Sequence, residues 1–278
     1  MLRVLRNAGL AWSRHNAPRL GAALAYYGIL SLAPTLVLVL AISGAAFGRD
    51  AARGEIYWQV RDVAGYQIAA AVQTLLKSAS APRAGLLAGT LGFAVMMFGA
   101  SGLFVELRDT LNFIWDAPAL SGTGAWQLVR ERFVAFGVVI GTGCLLTLSL
   151  AFTALVQARS VYSNEYLQLP APILESANFV VSLAVTTLLF ALIYRIIPEV
   201  RVDWCDVAVG SILTALLFSA GKLLIGLYLG RAGVGSAYGA AGSLVVLLVW
   251  IYYSAQIFLF GAEFTYAWAQ RRRYRSLR

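Results

Sequence analysis

The 278-residue chain is 60% hydrophobic and only 13% charged, with a mean hydropathy of +0.74 and a formal net charge of +9. A soluble domain carries about 25% charged residues, so an ordinary water-surrounded fold is excluded and lipid is the solvent for most of this chain. One histidine and two cysteines without paired spacing, Cys144 and Cys205, give neither a disulfide framework nor a zinc site, and the clustered His and carboxylates of a metal nuclease or hydrolase are missing.

Residues 1–20 form a basic segment with Arg3, Arg6, Arg14 and Arg19. His15 within it is read as an interfacial side chain rather than a ligand. The apolar run that follows is too long for the h-region of a signal peptide, about 7–15 residues, so it is expected to be a retained span. Six runs have the length to cross a bilayer as a helix, about 20 residues: 21–47, 84–107, 133–156, 179–197, 207–229 and 243–268. Lipid-exposed backbone must satisfy its own hydrogen bonds, which makes these runs helices. The short alternating strands of a β-barrel are absent.

Span one contains Pro34, which removes a donor and frees the carbonyl of Leu30. Ser31 is placed to help satisfy that carbonyl, and the bend is read as a packing shape. The outer loop 48–83 carries Ile56, Val60 and Val63 at helical spacing and continues with "IAAAVQTLL". It predicts one or two amphipathic helices on the outer membrane-water boundary. Span two ends on Glu106, whose helix face holds Gly92, Gly99 and Gly102 and is expected to pack against protein. Arg108, Asp109, Asn112 and Arg195 could join Glu106 and Glu263 near the cytoplasmic side, as a charge network or a gate. The small-xxx-small pairs Gly85/Gly89, Gly137/Gly141 and Gly226/Gly230 suit close helix crossings. Loop 157–178 carries "LPAP" as a turn, and loop 230–242 is short and rich in Gly and Ala.

Span five holds Lys222, with Ser211, Ala215, Ser219 and Gly226 on its face. An intramembrane Lys is a functional candidate, and snorkelling to the outer headgroups is the alternative. On span six, Tyr252, Gln256, Glu263, Tyr266 and Gln270 fall within an arc of about 80°. Unpaired polar groups facing lipid cost several kcal/mol each, so the stripe must turn inward, as a cavity wall or as a packed seam. Lys222 and Glu263 differ by about 14 Å in expected depth, which argues against their pairing directly. The tail 269–278, with Arg271, Arg272, Arg273, Arg275 and Arg278, favours anionic inner-leaflet lipid by about 1 kcal/mol per residue near the surface. No RNA-binding module accompanies it, so nucleic acid is not an expected partner. The Lys and Arg bias puts both termini in the cytoplasm.

Three segments carry a resemblance: "AALAYYGILSLAP" at 22–34, "ELRDTLNFIWD" at 106–116 and "YGAAGSLVVLLVWIYYSAQIFLFGAEFTYAWA" at 238–269. With "IPEVRVDWCDVAVGSILTALLF" at 197–218, including Pro198 and Trp204, they resemble the YihY/BrkB family of bacterial inner-membrane proteins. The resemblance implies a six-span inner-membrane protein. It brings with it a ribonuclease BN label, which these residues do not support, and a virulence-factor label, which names a phenotype. It also implies a connection with envelope lipid or lipopolysaccharide handling. No set of family residues is carried over to this chain.

The expected fold is therefore an all-α polytopic membrane protein of six transmembrane helices, with amphipathic helices in the first outer loop and both termini cytoplasmic in the bacterial inner membrane. The expected function is a transporter or flippase-like handler of an amphiphilic or anionic envelope component, without a cofactor or metal. Glu106, Lys222, Gln256, Glu263 and Tyr252 are its substrate-path candidates. Pro34, Arg108, Asp109, Asn112 and Arg195 are structural. The rival reading is a non-catalytic envelope scaffold, favoured if the polar faces pack against one another, and a ribonuclease is the remote third. An oligomer is compatible with either leading reading.

Overall fold

The computed structural model describes residues 1–47, 49–79, 102–117, 171–200, 202–231 and 242–276. Every regular element among them is a helix: α1 (Leu2–Arg14), α2 (Ala17–Phe47), α3 (Arg49–Ala64), α4 (Tyr66–Ala79), α5 (102–114), α6 (Ala171–Ile196), α7 (Trp204–Arg231) and α8 (Gly242–Ser276). Among the described residues, three segments are long and apolar enough to cross a membrane: Phe179–Ile196, Trp204–Tyr228 and Gly242–Arg273. These are expected spans four, five and six. Span one lies within α2, span two is described only from residue 102, and span three lies outside the described residues.

Helix ends follow local chemistry. Asn16 stands between α1 and α2 at φ 50°, a left-handed conformation that Asn tolerates better than most residues. Its carbonyl accepts from Arg19 N at 2.9 Å and Leu20 N at 3.3 Å, starting α2. Pro18 and Pro172 fall in first turns, where a missing N–H costs nothing. Gly65, at φ 92°, separates α3 from α4, and Asp116 does the same service after α5 at φ 49°. The expected tail is instead helical as far as Ser276, because "AWAQRRRYRS" holds good helix formers and no Gly or Pro. The basic N-terminal segment likewise contains a helix, α1, which buries Val4, Ala8 and Ala11 and exposes Arg3, Arg6 and Arg14.

The chain forms two compact units, one of Met1–Thr110 with Leu217–Glu263, the other of Leu111–Leu216 with Phe264–Arg278. In the first, Ile56 of α3 and Ile68, Val72 and Leu76 of α4 bury against Ile225 of α7 and Val246 and Leu247 of α8. The apolar side of these loop helices therefore packs into protein. In the second, Tyr194 is fully buried and meets Thr214 Oγ1 at 3.2 Å. Thr214 in turn donates to the Gly210 carbonyl at 2.8 Å.

Among the described glycines that the sequence singled out, Gly102 makes a close helix approach and Gly226 does not. Gly226 is exposed, with nothing within 4 Å of where a Cβ would stand. A Cβ at Gly221 would instead meet Ile257 Cδ1 at 2.6 Å and Tyr253 Cε1 at 2.9 Å. One at Gly102 would meet Tyr27 Cδ1 at 2.7 Å, so the face that carries Gly102 does pack on protein. Gly85/Gly89 and Gly137/Gly141 lie outside the described residues. Helix α2 runs unbroken through Pro34. The Ser31 hydroxyl, expected to serve the Leu30 carbonyl, donates to the Gly28 carbonyl at 3.0 Å.

Candidate functional site: a buried carboxylate on the last helix

Helix α8 has 35 residues, about 52 Å at 1.5 Å per residue, against a hydrocarbon layer of about 30 Å. One end must leave the hydrocarbon, and Arg271, Arg272 and Arg273 mark which. Glu263 lies two turns before that charged end and is fully buried. His15 Nδ1 donates to its Oε1 at 2.6 Å, from a side chain 26% exposed. The turn between α1 and α2 delivers the imidazole: α1 stops at Arg14, the chain turns left-handed at Asn16, and His15 is held between them.

Two turns back along α8, Gln256 Nε2 donates to the Ala17 carbonyl at 3.4 Å. Gly21 makes room for that amide, since a Cβ there would run into Gln256 Nε2. Seven residues on, Gly28 faces Ile251, whose Cγ2 would lie 3.1 Å from an added Cβ. The same face of α2 thus lies against α8 through two glycines, and the α1–α2 turn meets the polar stripe of α8. Tyr252 is half-buried on that stripe.

The stripe continues into the second unit with different partners. Tyr266 donates its hydroxyl to Asp116 Oδ2, and its ring sits edge-on to Trp115 at 5.5 Å between centroids. Gln270 is exposed. A second buried carboxylate, Asp206 in the first turn of α7, accepts from Arg272 Nη1 at 3.4 Å. Its position also suits the positive end of the helix dipole.

The other sequence candidates are distributed as follows. Lys222 is half-buried on α7, beside the Gly221 approach to α8. Glu106 and Arg108 are half-buried on α5, and Asp109 is exposed. Asn112 Oδ1 accepts from Glu199 N at 3.0 Å. Arg195 donates to the Val202 carbonyl and lies 5.6 Å from the Trp204 ring centroid. Asn112 and Arg195 thus hold Glu199 and Val202, between α6 and α7, within the second unit. Among the described residues, no three of His, Cys, Asp and Glu converge as a metal site.

Sequence reasoning did not identify His15 as the partner of Glu263, Arg272 as that of Asp206, or Asp116 as that of Tyr266. The available signal was modest: a lone histidine at a helix break, and an Asp two residues into a helix. The profile of the family described as "Virulence factor BrkB" matches residues 10–277. A UPF0761 membrane protein of Verminephrobacter eiseniae is 33% identical over 263 residues, 91% of this chain and 59% of its own length. Those of Tolumonas auensis and Aeromonas salmonicida are 27% and 26% identical, over 95% and 93% of this chain and 85% and 87% of theirs. The chain therefore spans about three-fifths of the first of these relatives and most of the other two. No solved structure matches.

Proposed function

The chain belongs to the BrkB virulence-factor family and is an integral membrane protein, and from that premise we propose that it moves an amphiphilic or anionic envelope component across the bacterial inner membrane. The supporting observation is the burial of Glu263 against His15. A buried carboxylate is a poor way to stabilise a fold, since apolar residues of similar volume serve as well or better. Ionisable groups inside membrane helices are costly and tend to mark pathways. In this reading α1 is a cytoplasmic latch, drawn onto the polar stripe of α8 and closing it. Release of His15 would open Glu263 and Gln256 to the cytoplasm, where Glu106 lines the same side. Lys222 would meet an anionic headgroup nearer the outer face. The six-span topology and cytoplasmic termini belong to the proposal.

The test is purified protein in vesicles with a fluorescent phospholipid whose outer-leaflet copies can be quenched. The expected result is translocation by the parent and its loss in Glu263→Gln. Silent vesicles containing folded protein would contradict the proposal and favour a non-catalytic scaffold. That second reading draws on Gln256 with Ala17 and Tyr266 with Asp116, in which stripe residues are engaged by protein. Neither reading includes an enzymatic step. Metal-dependent RNA cleavage that disappears in a point variant would contradict both.

A further inference from the structure

The first unit contains an open pocket of about 260 Å³, lined by Gly9 and Trp12 of α1, Leu217 of α7, and Gln256, Ile257 and Phe260 of α8. Its wall is almost wholly apolar. Yet two of its lining residues bury a polar atom that has no protein hydrogen-bond partner: the donor Trp12 Nε1 and the acceptor Gln256 Oε1. The surrounding segment is basic. Arg3, Arg6, Arg14 and Arg19 are exposed, and no Asp or Glu occurs before Asp50. Around α1, Arg6 stands about 60° from Gly9, on the side away from the buried Val4–Ala8–Ala11 face.

These features specify a ligand with an apolar chain, a buried hydrogen-bonding group and a negative head. The volume is below the ~300 Å³ of small-molecule pockets, so it suits one chain rather than a whole folded ligand. A free anion would make no use of the apolar wall, and a neutral lipid would make none of the arginines. An amphipathic helix with a basic face is suited to the membrane interface, and indole N–H groups commonly meet polar lipid groups there. We infer that the pocket between α1, α7 and α8 binds one acyl chain of an anionic glycerophospholipid. The Trp12 indole donates to an ester carbonyl, Gln256 Oε1 accepts from a lipid hydroxyl, and Arg6 with its neighbours meets the phosphate. This site does not require transport, and a lipid bound there would hold α1 on the bundle.

Native mass spectrometry of delipidated full-length protein tests it, with phosphatidylglycerol and phosphatidylcholine of identical chains as probes. The expected preference for phosphatidylglycerol is about ten-fold or more. A Cβ at Gly9 would meet nothing within 4 Å, so Gly9→Leu fits sterically and fills the pocket; it is expected to weaken binding by about ten-fold. Trp12→Phe keeps the ring, removes the donor and is expected to weaken binding several-fold, which keeps the test valid should Gly9→Leu fail to fold. Equal binding of the two lipids, or parent-like binding by the folded variants, overturns the inference. So does cross-linking of Gly9→Cys to residues 118–170 with no lipid retained, since the chain itself would then fill the pocket. Vesicles that bind lipid here without translocating it count against the transport reading alone.

Discussion

The two units each bury a carboxylate, and they treat it differently. In the second, Asp206 is paired with Arg272, a permanently charged guanidinium, at the start of a helix whose dipole also favours the negative charge. In the first, Glu263 is wholly buried and accepts from His15, whose side chain is 26% exposed. The first partner sits on the same run of arginines that ends α8. The second comes from the turn after a short N-terminal helix, 248 residues away in sequence. The Asp206 contact ties α7 to α8, whereas the Glu263 contact ties α8 to the turn between α1 and α2.

The largest effect should follow from breaking the Glu263 contact on one side only. His15→Ala is expected to destabilise the protein by about 1.5–3 kcal/mol, through loss of its hydrogen bond to the fully buried Glu263 carboxylate. Adding Glu263→Leu should recover most of that loss. Thermal unfolding of both variants in the same detergent checks this, and an unchanged melting temperature in His15→Ala would show that the contact contributes little. Asp206→Asn should cost less, since the asparagine keeps an acceptor for Arg272.

Next come the two glycines that admit polar side chains. A Cβ at Gly210 would collide with Thr265 Oγ1 and approach its Cβ at 2.7 Å, and a β-branched neighbour cannot swing aside. Gly210→Ala should therefore cost about 1–3 kcal/mol through helix displacement. Gly21→Ala meets only the flexible end of Gln256, so its cost should be about 1 kcal/mol, the value of the hydrogen bond to Ala17. Equal losses in parallel denaturation curves would remove this distinction. The smallest effect is at Gly226, where open space makes Gly226→Ala neutral or stabilising by up to about 1 kcal/mol. A marked loss there would reveal a neighbour on that face.

The long helices were legible because length and apolarity suffice to mark a span, and the inward turn of Glu263 was legible because its polar companions recur at helical spacing. His15 was not, since pairing across 248 residues leaves no local pattern. Nor was α1, whose buried face is Val4 and two alanines, too small to stand out against neighbouring arginines. The close-approach glycines of α7 were misjudged for a related reason. A helix apolar all round shows no preferred face, so spacing groups Gly226 with Ser211 and Ala215 while Gly210 and Gly221 make the contacts.

The central claim is that the turn carrying His15 must leave Glu263 for transport to proceed. In a Cys144→Ser, Cys205→Ser background, Gly9→Cys on α1 and Phe260→Cys on α8, which line one pocket, can be bridged by a short, reducible thiol cross-linker that leaves His15 and Glu263 in place. Single-cysteine proteins, which cannot be bridged, serve as controls. The unbridged protein is predicted to translocate phospholipid in vesicles, bridging to stop it and reduction to restore it. Equal translocation rates in the bridged and reduced protein would contradict the account.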